Sequence, residues 1–320
     1  MIGTVAVTGA TGFIGRHLTA DLVERGVTVR AIVRPDSPNP PPPGAAIVRA
    51  PLKASALAGA FEGIDAVVHL AGIVSAVDAG TYAAVNAGGT REVAAAADAA
   101  GVPLVHVSSL AAAGPAPASR PRGEDEAPAP ITPYGQSKLD SERALQALPS
   151  LRWTVLRPGV VYGPGDRAVL PLFRLAAGPV APVVGRPGAA YTFVYVADVV
   201  RTIEAALEKT SPGGTFFVGH AEPVTPRGLL ETIQHAIGRR SSLVRVPMPV
   251  TRVAAEVCDV LGRVTGRAML INRWRYAELA AEGFVCRVDR MREVLGVTAE
   301  VGLASGIAKT AEWYRRAGWL

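Results

Sequence analysis

From residue 2 the chain alternates short, largely apolar runs with longer stretches whose apolar residues recur three and four apart. Ile2–Val7, Val27–Val33, Ala45–Val48, Ala66–Leu70 and Leu104–Val107 read as buried strands. Ile14, Leu18 and Leu22 recur at helical spacing before Gly26, and Thr81–Ala100 reads as an alanine-rich helix. Uncharged strands alternating with helices predict an α/β fold: a doubly wound parallel sheet covered on both faces. Ligands of such sheets lie at the carboxyl ends of the strands.

Three stretches break the alternation. Pro35–Gly44 holds four consecutive prolines, which excludes helix and central strand, so it is an extended loop after the second strand. Gly114–Pro133 is rich in proline and charge and predicts a long surface loop, a type often functional beside active sites. Beyond Pro158 glycine and proline become frequent. The expected division is a dinucleotide-binding core over 1–160, to which 191–212 return, and a smaller substrate lobe from 161–190 and 213–320.

Composition narrows the function classes. At 320 residues the chain fits one large α/β unit with an appended lobe. The formal charge is +6, yet the arginines look scattered and form no run of the kind that binds nucleic acid or membranes. Neither partner is expected. Cys258 and Cys286 lack metal-ligand spacing, and the five histidines form no cluster, so no metal is expected. Without a leader pattern or an apolar run of membrane length, the expectation is a reduced, cytoplasmic protein.

The first strand runs directly into Thr8-Gly9-Ala10-Thr11-Gly12-Phe13-Ile14-Gly15 and then a helix. Strand, glycine turn and helix together make a dinucleotide site. Gly9 permits the tight turn, Gly12 lets backbone approach a pyrophosphate, and Gly15 lets helix and strand pack closely. The helix N-terminus offers free N–H groups and a positive dipole end to the phosphates. The spacing is Gly-x-x-Gly-x-x-Gly, one residue longer at the first gap than the common fingerprint.

A second group of polar residues follows. Ser108 and Ser109 end the fifth strand, and Tyr134 and Lys138 stand four apart, on one face of a helix. A phenol has a pKa near 10, and a neighbouring ammonium lowers it toward the range useful for acid-base catalysis. The plain alternative is an ordinary amphipathic helix start.

Taken together these motifs resemble the extended short-chain dehydrogenase/reductase family of nucleotide-sugar epimerases, dehydratases, dihydroflavonol reductases and 3-beta-hydroxysteroid dehydrogenases. The resemblance also draws on Asp65–Gly72, Asn86 with Gly89-Thr90, Leu156–Pro164, Phe193–Asp198 and Thr310–Tyr314. It implies a Rossmann fold. It implies Tyr134 as general acid/base and Ser109 as partner of the reacting oxygen. Lys138 would hold the nicotinamide ribose and lower the tyrosine pKa. Gly9, Thr11, Gly12, Phe13 and Ile14 would face the phosphates. Leu70, Ala71 and Gly72 would pass the adenosine ribose, Pro158 and Val160 would lie near the nicotinamide, and Ser108 would lie near the nicotinamide or be structural. Asn86 would be structural or support the cofactor, and Asp198 would be a structural cap.

Strand two ends Val33-Arg34-Pro35, with arginine where an NAD enzyme usually has an acid. Arg34 suits a 2′-phosphate, and together with Ser37 it resembles the dihydroflavonol-reductase arrangement for NADP, so NADP(H) is expected over NAD(H), with Arg16 or Arg30 able to assist. Pro51 stands where the family usually places an adenine-contacting Asp.

The expected activity is reduction of a ketone or aldehyde of a small, largely apolar substrate to an alcohol. One alternative is a nucleotide-sugar epimerase or dehydratase with tightly bound NAD, for which Arg167, Arg174 and Arg186 could serve. Another is a non-catalytic NADP-binding sensor or assembly protein. Ser109 is followed by Leu110-Ala111-Ala112, without the Glu/Asp pair of dehydratases. Leu170, Leu172, Phe173, Val180, Val183 and Val184 are core or pocket wall. The stretch Trp274–Glu278 reads as a helix packed on the lobe's core rather than as a cap over the substrate. A homodimer through 81–100 and 134–148 fits the family.

Overall fold

The computed structural model describes residues 2–40, 42–209, 213–266, 269 and 271–320. Pro41 of the proline loop and residues 210–212, the end of the expected return to the core, lie outside the described residues.

The first half builds β1 (Thr4–Thr8), α1 (Phe13–Glu24), β2 (Thr28–Val33), β3 (Ala46–Arg49), α2 (Ala54–Phe61) and β4 (Ala66–His69). It continues with α3 (Ala79–Tyr82), a π-helical turn (Ala83–Gly88), α4 (Gly89–Ala99), β5 (Leu104–Val107), α5 (Pro133–Gln146) and β6 (Trp153–Pro158). Then come β7 (Val160–Tyr162), α6 (Leu170–Ala177), β8 (Val180–Val183), β9 (Ala190–Tyr191), β10 (Phe193–Tyr195), α7 (Val196–Lys209) and β11 (Gly214–Val218). The chain closes with α8 (Pro226–Ile237), β12 (Ser242–Arg245), α9 (Met248–Thr265), α10 (Arg273–Ala280), β13 (Gly283–Phe284) and α11 (Leu303–Arg316).

Seven parallel strands form one sheet in the order β11-β6-β5-β4-β1-β2-β3. The order reverses between β1 and β4, so the crevice of this Rossmann sheet opens above their carboxyl ends. Alternate residues of β1 feed opposite faces. Val5 and Val7 pack with Leu18 of α1 and with Val199 and Ile203 of α7, while Ala6 packs with Leu57, Val93 and Leu145 from α2, α4 and α5.

The core takes more of the C-terminal half than the sequence division assigns. β11, placed in the lobe by that division, pairs with β6 as an edge strand of the main sheet. Met291 and Leu295 also return to the α1/α7 face. The lobe gathers around Tyr162, Phe173, Phe193, Ile233, Ile307 and Tyr314 and carries three two-stranded parallel sheets, β10-β7, β12-β8 and β13-β9. Leu170, Phe173 and Val183 are packing residues of this cluster.

Asp198, in the first turn of α7, accepts from the backbone N–H of Glu300 and Val301 at 3.2 and 3.1 Å, so it ties the C-terminal segment down. The 114–133 loop is pinned rather than free. Ala116 bridges Phe284, Arg122 bridges Cys286, and Glu124 accepts from the Phe217 N–H at 3.0 Å.

Candidate functional site

The glycine turn is built by close backbone contact. Gly9 has φ +71°, and a Cβ there would lie 2.6 Å from the Ala71 nitrogen. A Cβ on Gly15 would lie 2.2 Å from the Gly9 carbonyl oxygen, which fixes how closely α1 meets β1. Gly12 is exposed and precedes α1 with no side chain capping the helix and no acid in its first turn. The first-turn N–H groups, those of Phe13 and Ile14 among them, have no intrahelical partner and no competing negative charge. These residues fit the pyrophosphate of a dinucleotide.

A directional chain of hydrogen bonds fixes the segment after β4. Thr8 Oγ1 accepts from the Ala71 N–H at 3.4 Å and lies 2.6 Å from His69 Nδ1. His69 Nε2 lies 2.9 Å from Thr90 Oγ1, which donates to the Asn86 carbonyl at 2.7 Å. Because Thr90 spends its proton on Asn86, His69 donates from Nε2. Burial pulls the His69 pKa down to about 3 and keeps the ring neutral, so Nδ1 accepts from the Thr8 hydroxyl.

Asn86 completes the link. Its Oδ1 accepts from the Ile73 N–H at 2.8 Å, and its Nδ2 donates to the Ile73 carbonyl at 3.1 Å and to Ser137 Oγ at 2.9 Å. Ser137 Oγ in turn donates to the Tyr134 carbonyl at 2.8 Å. Asn86 sits in the π-helical turn and is buried, and a Cβ on Gly72 would lie 3.0 Å from its Oδ1. One side chain thus joins the Ala71–Ile73 segment to the start of α5.

Helix α5 begins at a Thr132 cap with Pro133 in its first turn. It places Tyr134, Lys138 and Glu142 on one face. Tyr134 is half-buried and lines the same cleft as Ser109. Its pKa is raised, first by burial and further by the charge of Glu278; Ser109 and Arg275 oppose this. The expected lowering of the phenol by Lys138 is not realised in this geometry. The Lys138 ammonium is buried against β5, where it donates to the Val107 carbonyl at 2.8 Å. Burial lowers it to about 8, against the pull of Glu142.

Glu142 forms a buried ion pair with Arg157, Nε–Oε1 at 2.9 Å and Nη2–Oε2 at 2.5 Å, and accepts from the Ser108 hydroxyl. The Ser108 hydroxyl therefore turns toward α5 and not toward the cleft. The i+4 spacing from Lys138 was the signal for Glu142 in the sequence, and nothing marked Arg157 as its partner.

Ser109 and Tyr134 open onto a cleft of about 210 Å³, with Pro158, Gly159 and Val160 on one side. Its remaining wall is Leu110, Ala111, Tyr191, Thr192, Arg275, Glu278, Leu279 and Phe284. Here the sequence expectation for 274–278 is corrected. No residue of α10 is buried, so it is not a core helix; Arg275, Glu278 and Leu279 line the cleft. Tyr82 packs between Tyr134 and Trp274, with ring centroids 5.9 and 5.8 Å away. Arg275 and Glu278 pair at 2.8 Å. The Tyr191 hydroxyl, also on this wall, is buried and has no hydrogen-bond partner among the described residues.

Arg34 lies exposed just after the carboxyl end of β2, and its guanidinium has no partner among the described residues. Ser37 sits in the same turn, its N–H bonded to the Arg34 carbonyl at 3.1 Å. The two arginines expected to assist are engaged elsewhere. Arg30 donates to the carbonyls of Ala60 and Glu62 at the end of α2, and Arg16 straps the Thr11 carbonyl to that of Pro40. Arg167 stacks on Trp319, Arg186 pairs with Glu282, and neither lines the cleft.

The model of the NAD dependent epimerase/dehydratase family matches residues 5–219. A ceramide reductase of Caulobacter vibrioides is 32% identical over 99% of this chain and 96% of its own. A 4-hydroxy-2-methyl-3-oxo-4-farnesyl-3,4-dihydroquinoline-1-oxide ketoreductase of Stigmatella aurantiaca is 30% identical over 94% of this chain and 93% of its own. Among solved structures, MoeE5 in complex with UDP-glucuronic acid and NAD superimposes with a TM-score of 0.79 at 27% identity, covering 98% of this chain and 100% of that one.

Proposed function

The chain belongs to the NAD dependent epimerase/dehydratase family, an extended short-chain dehydrogenase/reductase type, and from that premise we propose that it is an NADP(H)-dependent reductase of apolar ketones or aldehydes. The observation that carries the proposal is that Ser109 and Tyr134 line one cleft together with Leu110, Val160, Leu279 and Phe284. Two full-length relatives named as reductases support reduction over epimerisation.

The dinucleotide would rest on Gly9, Thr11, Gly12, Phe13 and Ile14, with Leu70, Ala71 and Gly72 alongside its ribose. Arg34 and Ser37 would hold a 2′-phosphate, where a charged hydrogen bond is worth ~1.5–3 kcal/mol. Lys138 would hold the nicotinamide ribose, and Pro158 and Val160 would flank the ring. Bound there, the cofactor supplies the hydride. Ser109 donates a hydrogen bond to the carbonyl oxygen, and Tyr134 gives that oxygen its proton. The raised Tyr134 pKa keeps the phenol protonated near neutral pH, as an acid in the reductive direction must be. The buried Glu142–Arg157 pair holds the α5 face that carries Lys138 against the ends of β5 and β6.

The test is NADPH consumption with a panel of aliphatic and aromatic ketones and aldehydes. Turnover that needs Tyr134 supports the reading; no turnover with any carbonyl, or turnover equal in Tyr134→Phe, opposes it.

A further inference from the structure

We propose that α9 is a membrane-surface helix, whose unpartnered apolar stripe lies in the headgroup layer of an anionic bilayer beside the mouth of the cleft. Val250, Val253, Val257, Val260, Leu261 and Val264 are all 48–80% exposed and fall three and four residues apart. They form one continuous stripe ~20 Å long on an 18-residue helix. The opposite, buried face holds only Thr251, Ala255 and Gly262. Arg252, Glu256, Asp259 and Arg263 fall on the side between, paired along the helix at 3.0 and 2.8 Å. An apolar arc beside a charged arc is the pattern of a helix that lies in an interface. It does not cross one: no helix among the described residues is long and apolar enough to span a membrane.

Charge selects the surface. From Arg239 to Arg275 the sequence has eight arginines and two acids, a surplus of six. That equals the formal net charge of the whole chain, +6, and leaves 25 basic and 25 acidic residues elsewhere. The excess that looks scattered along the sequence is thus gathered in the segment that brackets the stripe. Arg239, Arg240, Arg245, Arg252, Arg263, Arg273 and Arg275 are all exposed. Such a segment is drawn to anionic headgroups. A second copy of the chain fits less well. Two such segments would bring like charges together, and the stripe covers only about two heptads, short of the three to four a coiled coil needs.

Position gives the surface a use. α9 packs on α10, whose Arg275, Glu278 and Leu279 line the cleft. An apolar substrate dissolved in a bilayer would reach the cleft without crossing water. Docking needs no turnover, so the proposal stands or falls apart from the reductase reading.

The test is co-sedimentation of the full chain with phosphatidylcholine vesicles, with and without phosphatidylglycerol. Binding to the anionic vesicles is expected, weakening as salt screens the arginines. Val257→Asp with Val260→Asp should abolish it. Replacing Arg239, Arg240 and Arg245 by Gln should weaken it ~100-fold, about fivefold per arginine. Both variants change exposed side chains, and unaltered thermal melting shows that they fold. Absence of vesicle binding by the wild type, or binding unchanged by the valine variant, would overturn the proposal. So would a dimer seen by light scattering that the valine variant splits while vesicles take up no protein.

Discussion

Glu278 on α10 and Tyr134 on α5 line the same cleft, and the Glu278 charge adds to the burial that raises the phenol pKa. Burial raises the Glu278 carboxyl itself, and Arg275, paired with it at 2.8 Å, opposes that rise. A residue of the C-terminal half thereby tunes one of the Rossmann core. In Glu278→Gln the negative charge is gone while Arg275 stays. The phenol pKa falls, and since reduction needs the protonated phenol, the alkaline limb of the kcat/KM profile moves to lower pH. A limb that stays in place would show that Glu278 does not act on Tyr134.

Tyr134→Phe should lower the reduction rate ~10²–10⁴-fold, the usual span for a general acid. Ser109→Ala, which removes one bond to the developing oxyanion, should cost ~10–100-fold. Neither change should alter NADPH affinity measured by fluorescence titration, because both groups lie at the carbonyl end of the site.

Arg34→Ala should weaken NADPH binding ~10-fold or more and leave NADH binding as it was. Parallel titrations of the two cofactors check this, and equal losses for both would assign Arg34 no part in 2′-phosphate recognition.

Far from the cleft, Glu204 on α7 meets Asp21 on α1, and Arg25 lies 3.1 Å from it. Burial first, then Asp21, raises Glu204 to about 8, and its Oε1 has no hydrogen-bond partner among the described residues. A carboxyl whose folded pKa is raised stabilises the fold below its unfolded pKa and loses that contribution as pH rises through the folded value. Between about pH 4.5 and 8 this group therefore makes stability fall with pH. Glu204→Gln should flatten that part of the profile and raise Tm above wild type at pH 8 and beyond; identical slopes in pH-dependent denaturation would refute this.

The sequence made the sheet legible because its strands are short apolar runs with glycines at the turns. β5 is read at Leu104–Val107 and observed there, and β4 ends one residue early, at His69. The 81–100 helix was legible, but not its π-helical turn, which is what aims Asn86 at Ile73 and Ser137. The spacing of Tyr134 and Lys138 showed a shared face. It could not show that Lys138 would spend a donor on Val107, because that depends on how deeply α5 sinks against β5. β11 escaped because Gly214–Val218 joins the sheet beside β6, a pairing set by tertiary position and not by local pattern. The cleft wall escaped for the same reason. Leu110, Tyr191 and Arg275 come from three distant segments, and only the folded chain brings them together.

The most direct test of the reductase account is the nicotinamide cofactor itself: identify what the denatured protein releases, then titrate the cofactor-free protein with NADPH and NADH. The account predicts a dinucleotide that exchanges freely, with NADPH bound more tightly. Stoichiometric, non-exchanging NAD would contradict it and mark a hydride-recycling epimerase. Binding of neither cofactor would overturn the site built on Gly9, Gly12 and Gly15.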